Sequence, residues 1–504
     1  MSGGSTPGQY RNEAARTIRE EPQVRDSVTK ATLTFDAHRV EAFAQIDSER
    51  WRDWARDVKT HLLTHLDKYL EEAEAQLIAN GAKVHWAETA EDALEILAGI
   101  VREHGIKSAV KAKSMLSEEL RVNPHLEKLG VDVRETDLGE YILQLLGEPP
   151  SHIVGPAIHK SLEDCRELFH ERLGTPVNAE PDELAAAARE ALRKDFLAAD
   201  LGISGGNFMA ADTGTIALIE NEGNIRLSTS LPRVHVAFVG IEKLVPTLTD
   251  VAGFVQLTSR AATGQPVGNY VSLIQGPKKA DEPDGPEEVH VVLVDNGRTK
   301  LLADDEAWEA LRCVRCGACL NICPVYRQTG GHAYGWTYSG PIGAIIAPGI
   351  LGLEESMPLP HASSLCGACA DVCPVRIPIP DLLVHWREKA VTAGLAPKSE
   401  TLGLKAYSAL AQRPKLFNTA GAIMRRAPLE LGGRALPILS GWVLERAAPE
   451  PSAKSFMQMW EEGIVRALVI ESWAVCVRHW PNGNRRPIQV RLEDGGLKVR
   501  TLLR

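Results

Sequence analysis

Two cysteine-rich runs between residues 313 and 374 constrain this chain more than any other feature. The first run follows the pattern Cys-x2-Cys-x2-Cys-x3-Cys-Pro, and the second follows Cys-x2-Cys-x3-Cys-Pro. Seven of the nine cysteines stand in these runs, and they are Cys313, Cys316, Cys319, Cys323, Cys366, Cys369 and Cys373. A Gly-Ala pair fills one gap in each run, which lets the backbone wrap tightly around a shared centre.

The first spacing is typical of bacterial ferredoxins that carry two iron–sulfur clusters. In that pattern three thiolates hold one cluster, and the fourth cysteine crosses to the other cluster. Structural zinc prefers two Cys-x2-Cys pairs, which does not explain a triple run followed by x3-Cys-Pro. A disulfide framework is disfavoured in a long chain without a secretory signal. The spacing therefore predicts two [4Fe-4S] clusters.

The register of the two runs predicts which thiols share a cluster. Cluster one would take Cys313, Cys316, Cys319 and the returning Cys373. Cluster two would take Cys323, Cys366 and Cys369. Its fourth cysteine is missing, because Ser363 stands at the corresponding position. Ser363, a water molecule, a residue of a partner or the distant Cys476 could complete it, or the cluster could be [3Fe-4S].

Composition bounds the remaining alternatives. The chain has 504 residues, of which 44% are hydrophobic and 24% charged, and the net charge is -10. The length suggests two to four domains at about 150 residues each, and the acidic balance argues against non-specific nucleic-acid binding. The first residues lack a signal peptide, and no apolar run reaches the roughly 18 residues of a membrane span. These features predict a cytoplasmic protein, with any membrane association made through a partner.

Alternating strand and helix patterns predict an α/β fold with a parallel sheet. We expect a flexible start and a lead-in arm over residues 1–46, followed by one long helix over 47–80 that ends at Gly81. Strands are predicted at 83–87, 108–112, 131–135, 215–219, 225–228, 234–239 and 289–294. Helices are predicted at 90–104, 139–146, 182–199, 304–313 and 379–390. We expect a loop at 201–207, and the Gly- and Pro-rich insert at 326–365 would either shield the clusters or dock a partner.

Several segments carry a family resemblance. They lie at 111–119, 137–144, 150–160, 202–207 (Gly-Ile-Ser-Gly-Gly-Asn), 212–215 and 221–224, and the two cysteine runs complete the set. Together they resemble the lactate-utilisation iron–sulfur protein B family over roughly residues 30 to 460. That family shows the same seven motif cysteines, so the resemblance implies that Ser363 is a family feature.

The resemblance implies a domain plan. An N-terminal arm (1–46) would precede a LUD domain (47–300), whose α/β fold is similar to the NagB/RpiA/CoA-transferase-like group. A mostly helical ferredoxin-type domain with two [4Fe-4S] clusters (301–395) and a helical linker region (396–460) would follow. Residues 461–504 extend past the point where family members end.

The resemblance also implies a function, as the electron-transfer subunit of a complex that oxidises L-lactate to pyruvate with LutA-like and LutC-like subunits. No G-x-G-x-x-G fingerprint marks a nucleotide site, so no catalytic residue is assigned and the oxidation centre could lie on a partner. Two alternatives stay open. The LUD domain could itself oxidise an organic acid, or the clusters could serve a redox-sensing or regulatory role.

A small-anion site is the remaining hypothesis for the LUD domain. Lys111, Lys113 and Ser114 stand where a strand end meets a helix N-terminus, and Asn207 and Thr213 could face the same cleft. Solvated lysines, a helix cap and a tight turn are the alternative reading. Two histidines, 152 and 159, could act as acid–base groups, although hydrogen-bonded scaffold is the commoner role.

Overall fold

The computed structural model describes residues 6–396, 398–426, 430–431, 434–435, 452–463, 488–493 and 496–501. The chain divides after Leu395 into two compact units. Within the described part of the chain, no helix is long and apolar enough to cross a bilayer.

The first unit alternates strands and helices. Its strands are β1 (Lys83–Ala87), β2 (Ser108–Lys111), β3 (Asp132–Glu135), β4 (Leu201–Ser204), β5 (Phe208–Ala210), β6 (Thr215–Glu220), β7 (Val234–Gly240), β8 (Leu244–Val245), β9 (Tyr270–Ile274) and β10 (Glu288–Val294). Its helices are α1 (Tyr10–Glu20), α2 (Pro22–Phe43), α3 (Ser48–Thr64), α4 (Leu66–Ala79), α5 (Ala90–His104), α6 (Met115–Glu119), α7 (Val122–Lys128), α8 (Leu138–Leu146), α9 (Leu162–Leu173), α10 (Pro181–Ala198), α11 (Asn224–Ser230), α12 (Leu248–Thr263), α13 (Arg298–Leu302), α14 (Ala318–Ile322), α15 (Pro324–Thr329), α16 (Gly340–Ile350), α17 (Leu353–Ser356), α18 (Ala368–Asp371) and α19 (Ile379–Thr392).

A six-stranded parallel sheet organises the first unit, which confirms the predicted α/β fold. Its order is β1-β10-β7-β4-β2-β3, and every neighbouring pair runs parallel. The central strand β7 is buried along its whole length, as expected for a parallel strand covered on both faces. Because the strands are parallel, their carboxyl ends share one edge. The side chains that follow them are therefore gathered in one place.

Two local predictions near the sheet are wrong. Residues 201–207 were expected to form a loop, but β4 occupies the first four positions and lies between β7 and β2. Residues 225–228 were expected to extend as a strand, but they belong to α11, which begins after Gly223 at φ 80°. A four-stranded sheet of order β8-β5-β6-β9 takes up the other β segments of this region.

Gly202 sits where β4 passes directly under α11, and we expect Gly202→Ala to lower the thermal midpoint of unfolding. An added Cβ would lie 1.9 Å from the carbonyl oxygen of Ser228, so the backbone of β4 or of α11 would have to move. Overpacking of this kind costs about 3 kcal/mol. Gly99→Ala is the matched control, because its Cβ would meet nothing within 4 Å and alanine favours a helix interior. Equal midpoints for the two variants would contradict this packing.

The predicted single helix over 47–80 is two helices. His65, with φ -125° and ψ 32°, leaves the helical conformation between α3 and α4. The two helices have different partners, since α3 packs on β8 and the segment before the first cysteine run, while α4 packs on β1. One straight helix could not cover both surfaces. The predicted stop near Gly81 is confirmed, because α4 ends at Ala79 and Gly81 takes φ 92°.

Residues 1–46 were expected to be a flexible start and a lead-in arm, and most of the residues that the structure describes there are helical. The helices α1 and α2 run from Tyr10 to Phe43, and Val28 and Thr32 are fully buried. The ring of Tyr10 lies 5.1 Å from that of Tyr334 in the insert between the cysteine runs. Helix α2 contacts α14 and α15, so the N-terminal helices are part of the wall around the cysteines.

The insert between the two cysteine runs is mostly interior. Helix α16 is buried from Gly340 to Pro348 and packs against α19, α13 and α14. The side chains of Tyr334 and Tyr338 are buried as well. This burial favours the shielding role over the docking role. One hydrophobic core contains residues of both the sheet region and the cysteine region. Because this core continues across residue 300, the domain boundary predicted there stays a prediction.

The second unit, considered by itself, contains α20 (Lys398–Ala411), α21 (Pro414–Arg426) and α22 (Phe456–Glu461). Two antiparallel strand pairs accompany them, β11 (Glu430–Leu431) with β12 (Arg434–Ala435), and β13 (Ile488–Glu493) with β14 (Gly496–Thr501). The predicted boundaries at 396, 460 and 461 stay predictions, and Cys476 lies outside the described residues.

Candidate iron–sulfur site

Two left-handed turns shape the first cysteine run. A 3-10 helix, Ala307–Arg312, delivers Cys313 in an extended conformation. Arg315 then adopts φ 58° and Gly317 adopts φ 77°, and Gly317 begins helix α14, which carries Cys319. These turns fold the run back on itself within seven residues. Closely spaced thiols can therefore reach one cavity.

The second cysteine run is anchored by helix α3, far away in the chain. Arg52 donates from Nε to the carbonyl oxygen of Cys373 over 3.0 Å and from Nη2 to that of Ala370 over 3.3 Å. Arg376, at φ 48°, pairs through Nη2 with Glu49 Oε2 at 2.7 Å. Nothing in the sequence indicated this support, because the partners lie more than 300 positions apart.

Four thiols drawn from both runs line a single cavity, which we call site one. Three come from the first run and one from the second, and they are Cys313, Cys316, Cys319 and Cys373. Apolar side chains, among them Ile153, Ile342 and Ile377, complete its wall. The structure thus brings together the four cysteines that the register assigns to cluster one.

The other three motif cysteines form a second group, which we call site two. Burial, followed by the charge of Cys323 and that of Cys366, raises the pKa of Cys369 to about 12. Cys323 and Cys369 are buried, whereas Cys366 is exposed, so site two reaches the protein surface. The Oγ of Ser363 accepts a hydrogen bond from the backbone N–H of Leu365 at 3.0 Å.

The chemistry of these thiols fits iron–sulfur ligation. All eight cysteines in the described part of the chain are free of disulfides. Burial raises the pKa of Cys316, Cys319 and Cys373, because a thiolate in a dry cavity loses its hydration. Coordinated iron supplies the positive charge that offsets this cost. The backbone N–H of Arg315 donates to Cys313 Sγ over 3.3 Å, and that of Ile377 donates to Cys373 Sγ over 3.3 Å, as hydrogen-bond donors around cluster sulfurs do.

A second cavity adjoins site one at the carboxyl edge of the parallel sheet, and we call it the cationic cavity. Its volume is about 120 Å³. Polar residues that follow four different strands line it, together with two from the cysteine region, and they are Lys113, Ser114, Asn207, Glu242, Lys243, Arg298, Arg315 and Tyr338. Ile153 and Arg315 line both cavities, so the two share a wall.

Charges in the cationic cavity are only partly paired. Arg298 bonds through Nε to Glu242 Oε2 at 2.6 Å and through Nη2 to Glu119 Oε2 at 2.9 Å. The Arg315 Nη2 atom lies 3.6 Å from Glu242 Oε1. Burial, and then the nearby Arg315 charge, lowers the pKa of Lys243 to about 8. Burial opposes ionisation of Glu242, but the charges of Arg298, Lys243 and Arg315 together outweigh burial and lower the pKa of that carboxyl to about 2.

The cationic cavity includes three of the five residues that the sequence suggested for an anion site. Lys113 donates from Nζ to the carbonyl oxygen of Val154 over 2.6 Å. Ser114 caps α6 by accepting from the N–H of Ser117. The Oδ1 atom of Asn207 accepts from the N–H of Ile219 at 2.9 Å.

The other two suggested residues, Lys111 and Thr213, lie elsewhere. Lys111 is fully buried, and its Nζ is 3.0 Å from Glu118, 3.0 Å from Glu135 and 3.7 Å from Glu140. The structure therefore places Lys111 among three carboxylates and outside the lining of the cationic cavity. Thr213 instead hydrogen-bonds the hydroxyl of Thr215 at 2.8 Å.

The two candidate histidines are hydrogen-bonded scaffold. The Nε2 atom of His152 lies 3.0 Å from Asn321 Oδ1 on α14, and burial lowers its pKa to about 4. His159 contacts the hydroxyl of Ser151 at 2.9 Å and the carboxylate of Glu148 at 3.1 Å. Through these hydrogen bonds, the two histidines fix the segment between them to Asn321 on α14 and to Glu148 after α8.

Sequence reasoning missed the cations that matter most in the cationic cavity. Lys243 and Arg298 each follow a buried strand, β7 and β10, and Arg315 stands inside the first cysteine run. The available signal was a charged residue shortly after an apolar strand in a parallel sheet. That signal needs the strand order, which the sequence alone does not provide.

A parallel α/β domain whose carboxyl edge abuts a cysteine-lined site defines a two-domain iron–sulfur protein. Family models agree with this class: a LUD domain matches residues 70–294, and a 4Fe-4S dicluster domain matches residues 309–377.

Curated relatives extend the agreement over most of the chain. Lactate utilization protein B of Geobacillus thermodenitrificans is 45% identical over 81% of this chain and 87% of its own length. Lactate utilization protein B of Bacillus licheniformis is 42% identical over 87% of this chain and 94% of its own length. The uncharacterized electron transport protein YkgF of Escherichia coli is 41% identical over 87% of this chain and 93% of its own length. The chain belongs to the lactate utilization protein B family.

Proposed function

We propose that this chain is an iron–sulfur electron-transfer subunit of a complex that oxidises L-lactate to pyruvate. The observation that carries the proposal is the gathering of four thiols from both cysteine runs in one cavity that shares a wall with a cation-lined cavity. The names of the relatives, which refer to lactate utilization and to electron transport, support the same substrate and role.

Site one would hold one [4Fe-4S] cluster through Cys313, Cys316, Cys319 and Cys373. Site two would hold a second cluster through its three cysteines, with the fourth position filled from outside the motif or left as [3Fe-4S]. When bound, the clusters supply one-electron acceptors in series. The chain's own contribution is to gather the thiols of site one in a mostly apolar cavity and to aim backbone N–H groups at sulfur.

The two sites differ in exposure, which suggests a direction for electrons. Site one lies inside the first unit against the cationic cavity, and site two reaches the surface at Cys366. Electrons that enter near the cavity could therefore leave at the surface, where a partner can approach.

Lactate oxidation removes two electrons and two protons, and the carbon-bound hydrogen needs an acceptor that an iron–sulfur cluster does not provide. The described cavities offer cations and hydroxyls but no dinucleotide fingerprint accompanies them in the sequence. We therefore place the hydride-accepting centre on a partner subunit, of the LutA-like or LutC-like kind that the family resemblance implies.

Anaerobic EPR tests this function directly. We expect the purified chain to show dithionite-reducible clusters that L-lactate reduces only when the co-purified partners are present. Lactate-dependent reduction of the chain alone would move the oxidation into the LUD domain. Absence of lactate-dependent reduction in both samples, with clusters intact, would contradict the lactate assignment.

A further inference from the structure

The cationic cavity contains a buried guanidinium that is not fully paired. The side chain of Arg315 is 9% exposed, and its Nε and Nη1 atoms have no hydrogen-bond partner among the described residues. Its remaining contacts are the distant Glu242 carboxylate and the ring of Tyr338, which lies 4.1 Å from the guanidinium carbon. Unmade hydrogen bonds of a buried charged group cost free energy, so this site lacks an acceptor.

The balance of charge at the cavity points the same way. Four cationic side chains line it, and they are Lys113, Lys243, Arg298 and Arg315. Among the residues that the structure describes, two carboxylates, Glu119 and Glu242, lie within 4 Å of any of these cationic groups. An excess of two positive charges faces a cavity of about 120 Å³, which suits a molecule of a few heavy atoms that carries negative charge.

The shape of the cavity explains why the acceptor is small. Gly205 and Gly206 form its floor after β4, and a Cβ at Gly205 would lie 2.6 Å from the Oγ of Ser114. Planar carboxylates match the fork of an arginine, and an ammonium adds a point charge beside it.

We propose that the cationic cavity binds a small carboxylate anion and that its occupancy is coupled, through Arg315, to the redox state of site one. The inference rests on the proposed function, because it names the class of anion whose binding adjusts electron transfer by this subunit, while the oxidation itself takes place on a partner. Lys243 and Arg315 hold the carboxylate, and Lys113 positions the wall formed by the segment around Val154.

Coupling follows from the shared wall. The backbone N–H of Arg315 lies 3.3 Å from Cys313 Sγ, and its side chain lines the cationic cavity. An electron added at site one increases the negative charge next to the same guanidinium that holds the anion. Reduction therefore weakens anion binding, and by linkage the bound anion makes reduction harder by the same factor.

The cations could instead serve only as counter-charges for the cluster at site one. That reading predicts no specific binding of a carboxylate. It also predicts that removing a lysine changes cluster stability alone. The two readings are separated by measuring binding on the holoprotein rather than activity.

The experiment is anaerobic isothermal titration calorimetry on the full-length, cluster-loaded chain with L-lactate, its neutral analogue lactamide and inorganic phosphate. We expect L-lactate to bind and lactamide not to bind, because the amide carries no charge. Lys243→Gln should weaken L-lactate binding by roughly tenfold or more, as loss of a charge-assisted hydrogen bond does. Reduction with dithionite should weaken binding to the unmodified chain by about fivefold.

Lys113→Gln serves as a second variant in case Lys243→Gln does not fold. Lys279→Gln is the matched control with unchanged binding, because Lys279 is exposed on the loop between β9 and β10 and does not line the cavity. Equal binding of lactamide, tighter binding of phosphate or unchanged affinity in both cavity variants would overturn the carboxylate assignment. Affinity that does not depend on reduction would overturn the coupling. Partner-dependent reduction by EPR tests the proposed function separately, so the two failures are distinguishable.

Discussion

Replacing Cys373 by alanine is expected to abolish the cluster whose other ligands lie in the first cysteine run. Cys373 belongs to the second run by sequence, yet it lines site one with Cys313, Cys316 and Cys319. Loss of one thiolate opens a coordination position, and the other residues that line site one offer no replacement ligand, whereas site two reaches the surface and can take its fourth ligand from outside. We expect iron content to fall by about half and the EPR signal of one cluster to disappear.

The crossed assignment predicts which cysteine variants lose the same EPR signal. Cys313→Ala and Cys373→Ala should remove the same EPR signal, while Cys323→Ala and Cys369→Ala should remove the other. Cys165→Ala, on α9 and outside both runs, is the control with both signals retained. If Cys373→Ala instead removed the signal that Cys369→Ala removes, ligation would be local to each run and the crossed assignment would be wrong.

Lys111→Met is expected to destabilise the first unit strongly while leaving anion binding intact. Burial disfavours the charge on Lys111, but Glu135, Glu118 and Glu140 outweigh burial and raise its pKa well above the usual value. Without the ammonium, the buried Glu135 and Glu140 lose their counter-charge. Removing one partner of a buried ion pair costs about 3–5 kcal/mol, so the thermal midpoint should fall by many degrees.

Lys107→Met, at an exposed position just before β2, is the control and should change the unfolding free energy by no more than about 0.5 kcal/mol. Thermal unfolding followed by circular dichroism measures both variants. An unchanged midpoint for Lys111→Met together with weaker L-lactate binding would return Lys111 to the anion site.

Local patterns predicted the secondary structure well where capping and periodicity agree. Helix α5 has the predicted bounds, because Thr89 and Asp92 form a capping box and Gly105 ends the helix at φ 59°. The strands β7 and β10 were predicted from their continuous apolar runs, and nearly all of their residues are buried. Predictions failed where tertiary contacts override the local pattern, as at His65 between α3 and α4.

By itself, the sequence determined the type of chemistry. Cysteine spacing acts over a few residues, so the two runs define iron–sulfur ligation before any fold is known. The tertiary structure decided which groups meet across long separations in the chain. Only the tertiary structure brings Arg298 and Lys243, which follow different strands, close to Arg315. Only the tertiary structure encloses the ammonium of Lys111 among three carboxylates. The physical reason is that charge pairing and burial depend on distance in space, and only the order of strands in the sheet sets that distance.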